Sequence, residues 1–271
     1  MDKDDQNSPV SDTWYARIST RLNDIEREEG CRVLLAVESG SRAWGFHSPD
    51  SDYDVRFVYA RPLDWHLNLG KKRDVIEHPV DALWDVSGWE LSKALTLALG
   101  SNAVIAEWLQ SPIVYKSDPE FVARMTQFCE HVLDRKSVTW HYVSLLRRQE
   151  ARSLDDQGQL RLKRYFYMLR PVMALRWIRV NEAAMPPMDM DKLIAGVELD
   201  ADTERDLEDL IALKKQQDEK AVTTIAPARS LEELIAQEWE LAKSWLETAV
   251  STKPQRDWDM ANQIHAEYSR F

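Results

Sequence analysis

The sequence predicts an α+β fold, with a small mixed sheet in the first part of the chain and a helical domain after it. Three observations carry this. Two short runs rich in Val, Leu and Tyr, Arg32 to Val37 and Tyr53 to Tyr59, read as strands on either side of a glycine-serine turn. From Ser117 onward the apolar residues recur at helical rather than alternating spacing. At 271 residues, 44% hydrophobic and 30% charged, the chain can fill a sizeable core in two domains, expected at 1–112 and 113–271.

In order along the chain, Ser11 is the N-cap of a helix that carries Trp14, Ile18, Leu22 and Ile25 on one face, and Gly30 ends it. The two strands follow. Arg61-Pro62 closes the second, and residues 63–72 read as a polar loop. Asp74 to His78 and Val80 to Val86 form a strand pair around Pro79. Ser87 then caps a helix that stops near Gly100, and Asn102 to Gln110 forms another, ended by Ser111-Pro112. Ser117-Asp118-Pro119 opens the helical part, and Ser137 caps its second helix. A long helix from Gln159 to about Glu182, with Pro171 inside it, precedes helices at Asp202 to Lys220, Ser230 to Val250 and around Trp258 to Ile264.

A formal net charge of -11 argues against broad, non-specific affinity for nucleic acid, which needs Lys and Arg. It leaves room for a local basic site. The two cysteines, Cys31 and Cys129, lack metal-ligand spacing and read as reduced thiols. No apolar run approaches ~20 residues and the first ten residues are polar, so the expectation is a cytoplasmic protein with no membrane partner. His47, His66, His78, His131, His141 and His265 show no ligand spacing either, and no zinc site is expected.

The stretch that carries chemistry is Glu38-Ser39-Gly40-Ser41-Arg42-Ala43-Trp44-Gly45, followed by Ser51-Asp52-Tyr53-Asp54-Val55. Alternation along a strand puts Asp52, Asp54 and Arg56 on one face, with the two carboxylates roughly 6.5–7 Å apart. Hard divalent cations want such oxygen ligands and keep places for water and phosphate. Gly40 lets backbone approach a ligand closely, and exposed N–H groups beside it suit phosphate. Arg42 has two readings: a bidentate phosphate contact, or a salt bridge to Glu38.

The ordered combination of strand, Gly-Ser, eleven residues from Ser41 to Asp52, and Asp-x-Asp opening a second strand resembles the nucleotidyltransferase superfamily of DNA polymerase β. The fuller string Glu38 to Gly45 with Ser51 to Asp54 is most similar to its RNA-repair-associated, RlaP-type branch. Gly88-Trp89-Glu90-Leu91 and Ser101-Asn102 through Glu107 to Ile113 resemble that branch as well. The resemblance implies a polymerase-β-like catalytic domain in which Asp52, Asp54 and a third carboxylate from a neighbouring strand hold Mg²⁺, or Mn²⁺ in its place. Asp85 is chosen as the third; Asp81 and Glu77 stay open, because a one-residue slip in register reverses the faces. Gly40, Ser41 and Arg42 would hold nucleotide phosphates.

Between Arg147 and Arg179 nine Lys or Arg face three acids, whereas Glu198 to Asp209 holds seven acids in twelve residues. A basic stretch in an acidic protein suits a triphosphate or an RNA end. Lys163, Tyr167 and Arg170 share one face of the long helix. The string Lys163-Arg164-Tyr165 to Arg170-Pro171 resembles the segment with which this branch supplies a cation to the phosphates, so all three are candidates for that role. The bland alternative is a solvated face, or pairing with the acids at Glu204 to Asp209. The function implied is transfer of a nucleoside monophosphate from an NTP substrate to a hydroxyl, on an RNA (tRNA-like) end, with release of pyrophosphate. A protein AMP-transferase and a non-enzymatic nucleotide-binding regulator of antitoxin-like kind are the contrasting readings.

Overall fold

The computed structural model describes residues 9–77, 83–154, 157–218, 223–251 and 257–271. Helix α1 (Asp12–Glu29) starts where the Trp14 N–H donates to Ser11 Oγ at 3.4 Å, and it ends at Gly30, whose φ of +59° is left-handed. The chain continues through β1 (Arg32–Ser39), the one-turn α2 (Gly40–Trp44), β2 (Tyr53–Ala60), α3 (Leu63–Leu67), β3 (Val75–Glu77) and β4 (Trp84–Glu90). Helices α4 (Leu91–Leu99) and α5 (Ala103–Leu109), strand β5 (Val114–Ser117) and helix α6 (Pro119–Val132) follow. The later elements are α7 (Arg135–Glu150), β6 (Leu160–Arg161), α8 (Leu162–Asn181), α9 (Met190–Ala195), α10 (Ala201–Gln216), β7 (Thr224–Ile225), α11 (Arg229–Thr248) and α12 (Trp258–Tyr268). Among the described residues no helix is long and apolar enough to cross a membrane.

Five strands form a mixed sheet in the order β3-β4-β2-β1-β5. The β2–β4 pair is parallel, and the other pairs are antiparallel. Six successive residues of β1, Val33 to Glu38, are buried, as befits a strand covered on both faces. Helix α1 packs on β1 and β5, while α5 and α6 also contact β1 and α4 contacts β2. Ile18, Leu22 and Ile25 of α1 join Val33, Val55, Phe57 and Tyr59 in one apolar cluster. This fold agrees with the α+β class and the small mixed sheet expected from sequence.

Four local expectations differ. Residues 63–67 are helical within the segment read as a loop. Ser87 is not a cap: it lies in β4 opposite Arg56, and the strand runs on to Glu90. Gly88 permits this, since a Cβ there would fall 2.2 Å from the Phe57 ring. The cap of α4 is Glu90, whose carboxylate accepts the Ser92 N–H at 2.7 Å. Likewise Asp134, not Ser137, caps α7, its Oδ2 accepting both the Ser137 N–H and the Ser137 hydroxyl at 2.9 and 2.7 Å. The four residues of β5, between two prolines, form a strand because β1 offers them an open edge. The part of the expected strand at residues 78–82 lies outside the described residues.

Two compact units divide the chain. One comprises the described parts of Met1–Ala43, Asp52–Val132 and Pro254–Phe271, and the other those of Trp44–Ser51 and Leu133–Lys253. The division falls elsewhere than at 112, because β5 and α6 pack on β1, and α12 returns to pack on α4 and α6. In the second unit α8, with Pro171 inside it, packs against α7 and α11. Buried Glu238 of α11 accepts from Arg176 and Arg179 of α8 at 3.0 and 2.6 Å. These two basic residues share Glu238, and Arg176 donates to the Glu198 carbonyl as well.

Candidate active site

At the end of β1, Ser39 lies opposite Asp54 in the antiparallel ladder with β2. The chain then turns at Gly40, φ +63°, and a Cβ at that position would lie 2.2 Å from Asp54 Oδ2. Both the backbone angle and the space admit only glycine here. The Gly-Ser turn and the second aspartate of Asp-x-Asp are thus in direct contact. Tyr53, between the two aspartates, is buried with its ring stacked on Trp14 at 4.3 Å. Asp52 and Asp54 accordingly belong to the other side of the strand, the first exposed and the second half-buried.

The parallel pairing of β2 with β4 sets Asp85 beside Asp54. Arg56 binds them together: its Nη2 donates to Asp54 Oδ1 at 3.1 Å and to Asp85 Oδ2 at 2.7 Å. Its Nη1 donates to the carbonyl oxygens of Val55 and Asp85, each at 3.1 Å. Of the other third-carboxylate candidates, Glu77 lies in β3 opposite Ser87 and is ion-paired with Arg73. Asp81 lies outside the described residues. Arg56 went unassigned at the sequence level although its signal was legible, two positions after Asp54 on the same face.

Glu38 is a second unassigned residue. It is wholly buried, its Oε1 accepts the Asp54 N–H at 2.7 Å, and its Oε2 accepts the Tyr115 hydroxyl. Burial pushes its pKa up to about 7, and the nearby Asp54 charge raises it too, against the lowering effect of those two hydrogen bonds and of Arg42. Tyr115 is pushed well above the ordinary phenol range, first by burial and then by Glu38. Glu38 therefore fixes the backbone that presents Asp54.

Arg42 is buried. Its Nη1 donates to the Pro9 carbonyl at 2.6 Å and its Nε to the Asp52 carbonyl at 3.3 Å, while its guanidinium lies 4.0 Å above the Tyr53 ring. It braces the main chain that enters β2. Ser41 is half-buried in α2.

Lys163, Tyr167 and Arg170 lie on α8 in the second unit. Lys163 is exposed. The Tyr167 ring meets Trp44 edge-on at 5.3 Å. Arg170, expected to reach a phosphate, is instead 2% exposed, with its guanidinium 5.0 Å from the Trp44 ring and its Nε donating to the Met188 carbonyl at 3.3 Å. Tyr167 and Arg170 thus support the segment that joins the two halves of the motif.

The first-unit acids fit a hard divalent cation. Two carboxylates from adjacent strands already converge on one positive group, Arg56, and an exposed third acid, Asp52, stands at the head of β2.

A curated relative, the "Uncharacterized protein YcgL" of Bacillus subtilis (strain 168), is 42% identical over 196 residues, which is 71% of this chain and 75% of the relative. Among solved structures, a nucleotidyltransferase-like protein from Exiguobacterium sibiricum 255-15 is similar at 14% identity and a TM-score of 0.28, with 85% of this chain and 75% of that one covered. The model of the RNA repair pathway DNA polymerase beta family, RlaP, matches residues 15–267. The chain belongs to that family and is a nucleotidyltransferase of the polymerase-β type.

Proposed function

We propose that the protein moves a nucleoside monophosphate from an NTP to a hydroxyl on an RNA end and releases pyrophosphate. The observation that carries this reading is the register of β2 on β4, with Asp54 and Asp85 side by side and Gly40 against Asp54. The RNA acceptor is supported by the family's association with RNA repair. Asp52, Asp54 and Asp85 would hold Mg²⁺, or Mn²⁺ in its place. When bound there, such ions lower the pKa of the attacking hydroxyl and neutralise charge on the departing oxygen.

The chain's own residues supply position. The acceptor oxygen bonds to the α-phosphorus as the bond from that phosphorus to the bridging oxygen breaks, and pyrophosphate leaves with the electron pair. The acceptor's proton passes to a carboxylate, for which Asp85 is the candidate. Gly40 and Ser41 are assigned to the β- and γ-phosphates, where the absence of a side chain at Gly40 leaves backbone accessible. Glu38 and Arg42 hold the backbone of Asp54 and Asp52 in place. The role proposed for Lys163, a cation for the phosphates, rests on its exposure and its family-like string. Arg170 and Tyr167 are proposed as supports of Trp44 rather than as phosphate ligands.

The test is incubation with each labelled NTP, Mg²⁺ or Mn²⁺, and total RNA or total protein. Label on RNA is the expected result. Label on protein would transfer the reading to protein AMP-transfer, and the absence of any label would overturn it. Asp54→Asn is expected to abolish labelling while shifting stability by no more than about 1 kcal/mol, since the pair it breaks is partly solvated.

A further inference from the structure

Apart from the aspartates, three side chains from separate elements of the first unit converge. They are His66 of α3, Glu90 at the junction of β4 and α4, and His265 of α12. One ligand-type atom from each lies within 4.8 Å of the others. His66 Nε2 is 3.8 Å from Glu90 Oε1, and the two imidazole rings meet at 4.6 Å, nearly perpendicular. Glu90 is wholly buried. Its Oε2 is satisfied by the Ser92 N–H and hydroxyl. Its Oε1, His66 Nε2 and His265 Nε2 are all buried, and none has a hydrogen-bond partner.

Buried polar atoms are almost always paired, and a buried carboxylate oxygen left alone is costly. A separation of 3.8 Å is too long for a hydrogen bond between His66 and Glu90. Three such atoms around one point share one missing partner. A metal ion would satisfy two imidazole nitrogens and a carboxylate oxygen at once.

We propose that His66, Glu90 and His265 bind one divalent transition-metal ion of the zinc type, joining α12 to the end of β4 at Glu90. Two histidines and one carboxylate are an established zinc donor set, and three protein ligands leave a fourth position for water. Tetrahedral zinc with bonds of ~2.0–2.1 Å wants its ligand atoms roughly 3.3 Å apart, so small side-chain adjustments close the cluster. No spacing in the sequence signals it, because ligand-spacing rules read short motifs and these residues lie 24 and 175 positions apart. The consequence is structural: the ion would secure a helix from the far end of the chain to the strand that carries Asp85.

The experiment titrates chelator-treated full-length protein with Zn²⁺, and in parallel with Co²⁺ read by visible absorption. One equivalent is expected, with tetrahedral cobalt bands and a rise in Tm. Both must persist in an Asp52→Asn/Asp54→Asn double variant, which removes the other carboxylate cluster. His66→Gln and His265→Gln are each expected to weaken binding by at least about 100-fold, since the loss of outer-shell partners alone costs 10–100-fold. If those variants fold poorly, zinc X-ray absorption of the loaded wild-type protein decides, with imidazole scattering expected. Absence of binding, an equivalent lost in the double aspartate variant, or sulfur scattering would each overturn the proposal.

Discussion

Glu38→Gln tests the environment that holds Asp54. In the native protein the carboxyl is buried between the Asp54 N–H and the Tyr115 hydroxyl, and its pKa is raised from 4.5 to about 7. A raised carboxyl pKa means that the folded state binds the proton more tightly than the unfolded chain does. The associated stability is fully present below pH 4.5 and is lost as pH rises through about 7. A shift of that size corresponds to about 3 kcal/mol at 1.36 kcal/mol per unit, most of it lost between pH 5 and 8. Gln can accept the Asp54 N–H and donate to the Tyr115 oxygen, yet it does not titrate. Urea denaturation at half-unit steps from pH 5 to 8 should therefore show wild-type stability falling by about 2–3 kcal/mol more than that of the variant. Parallel pH profiles for the two proteins would refute the argument, because Glu38 would then be ionised, or solvated, throughout.

Three further predictions test the proposed chemistry. Gly40→Ala places a Cβ 2.2 Å from Asp54 Oδ2 at a left-handed backbone position, so nucleotide labelling should fall at least tenfold and stability by about 1–3 kcal/mol; unchanged labelling would show that the close approach is dispensable. Arg56→Met leaves Asp54 and Asp85 without their shared cation, so the metal-free protein should lose about 1–3 kcal/mol while Mn²⁺ raises its Tm by more than it does for wild type; an equal or smaller Mn²⁺ effect, read by thermal denaturation, counts against a cation site there. Lys163→Ala removes an exposed cation, so stability should stay within about 0.5 kcal/mol while KM for the NTP rises several-fold; an unchanged KM would remove Lys163 from the phosphate site.

What the sequence disclosed was what local chemistry determines. Ser11, Asn102 and Gly30 end helices through groups within a few residues of themselves, and the Gly-Ser turn follows, and Asp-x-Asp opens, strands whose apolar character is plain. The remainder depends on pairings between distant segments. Val114 to Ser117 is too short to show an alternating pattern, and it becomes a strand only because β1 has a free edge. Tyr115 comes to Glu38 from 77 positions away, so neither the raised pKa nor the grip on the Asp54 N–H could be inferred from spacing. Asp85 was chosen by resemblance, and its pairing with Asp54 rests on a parallel register that a one-residue slip would reverse.

That register also explains why Arg56 belongs to the constellation. Two carboxylates brought side by side on adjacent strands repel each other, and the repulsion opposes the very pairing that aligns them. A cation two residues along the same face removes the conflict, because it reaches both carboxylates and the carbonyl of Asp85 as well. Arg56 thus allows the sheet to form with its acids in place before any ligand arrives. A divalent ion held by Asp54 and Asp85, as proposed, would have to displace or share that guanidinium, so metal affinity and metal-free stability would be set by the same side chain and trade against each other.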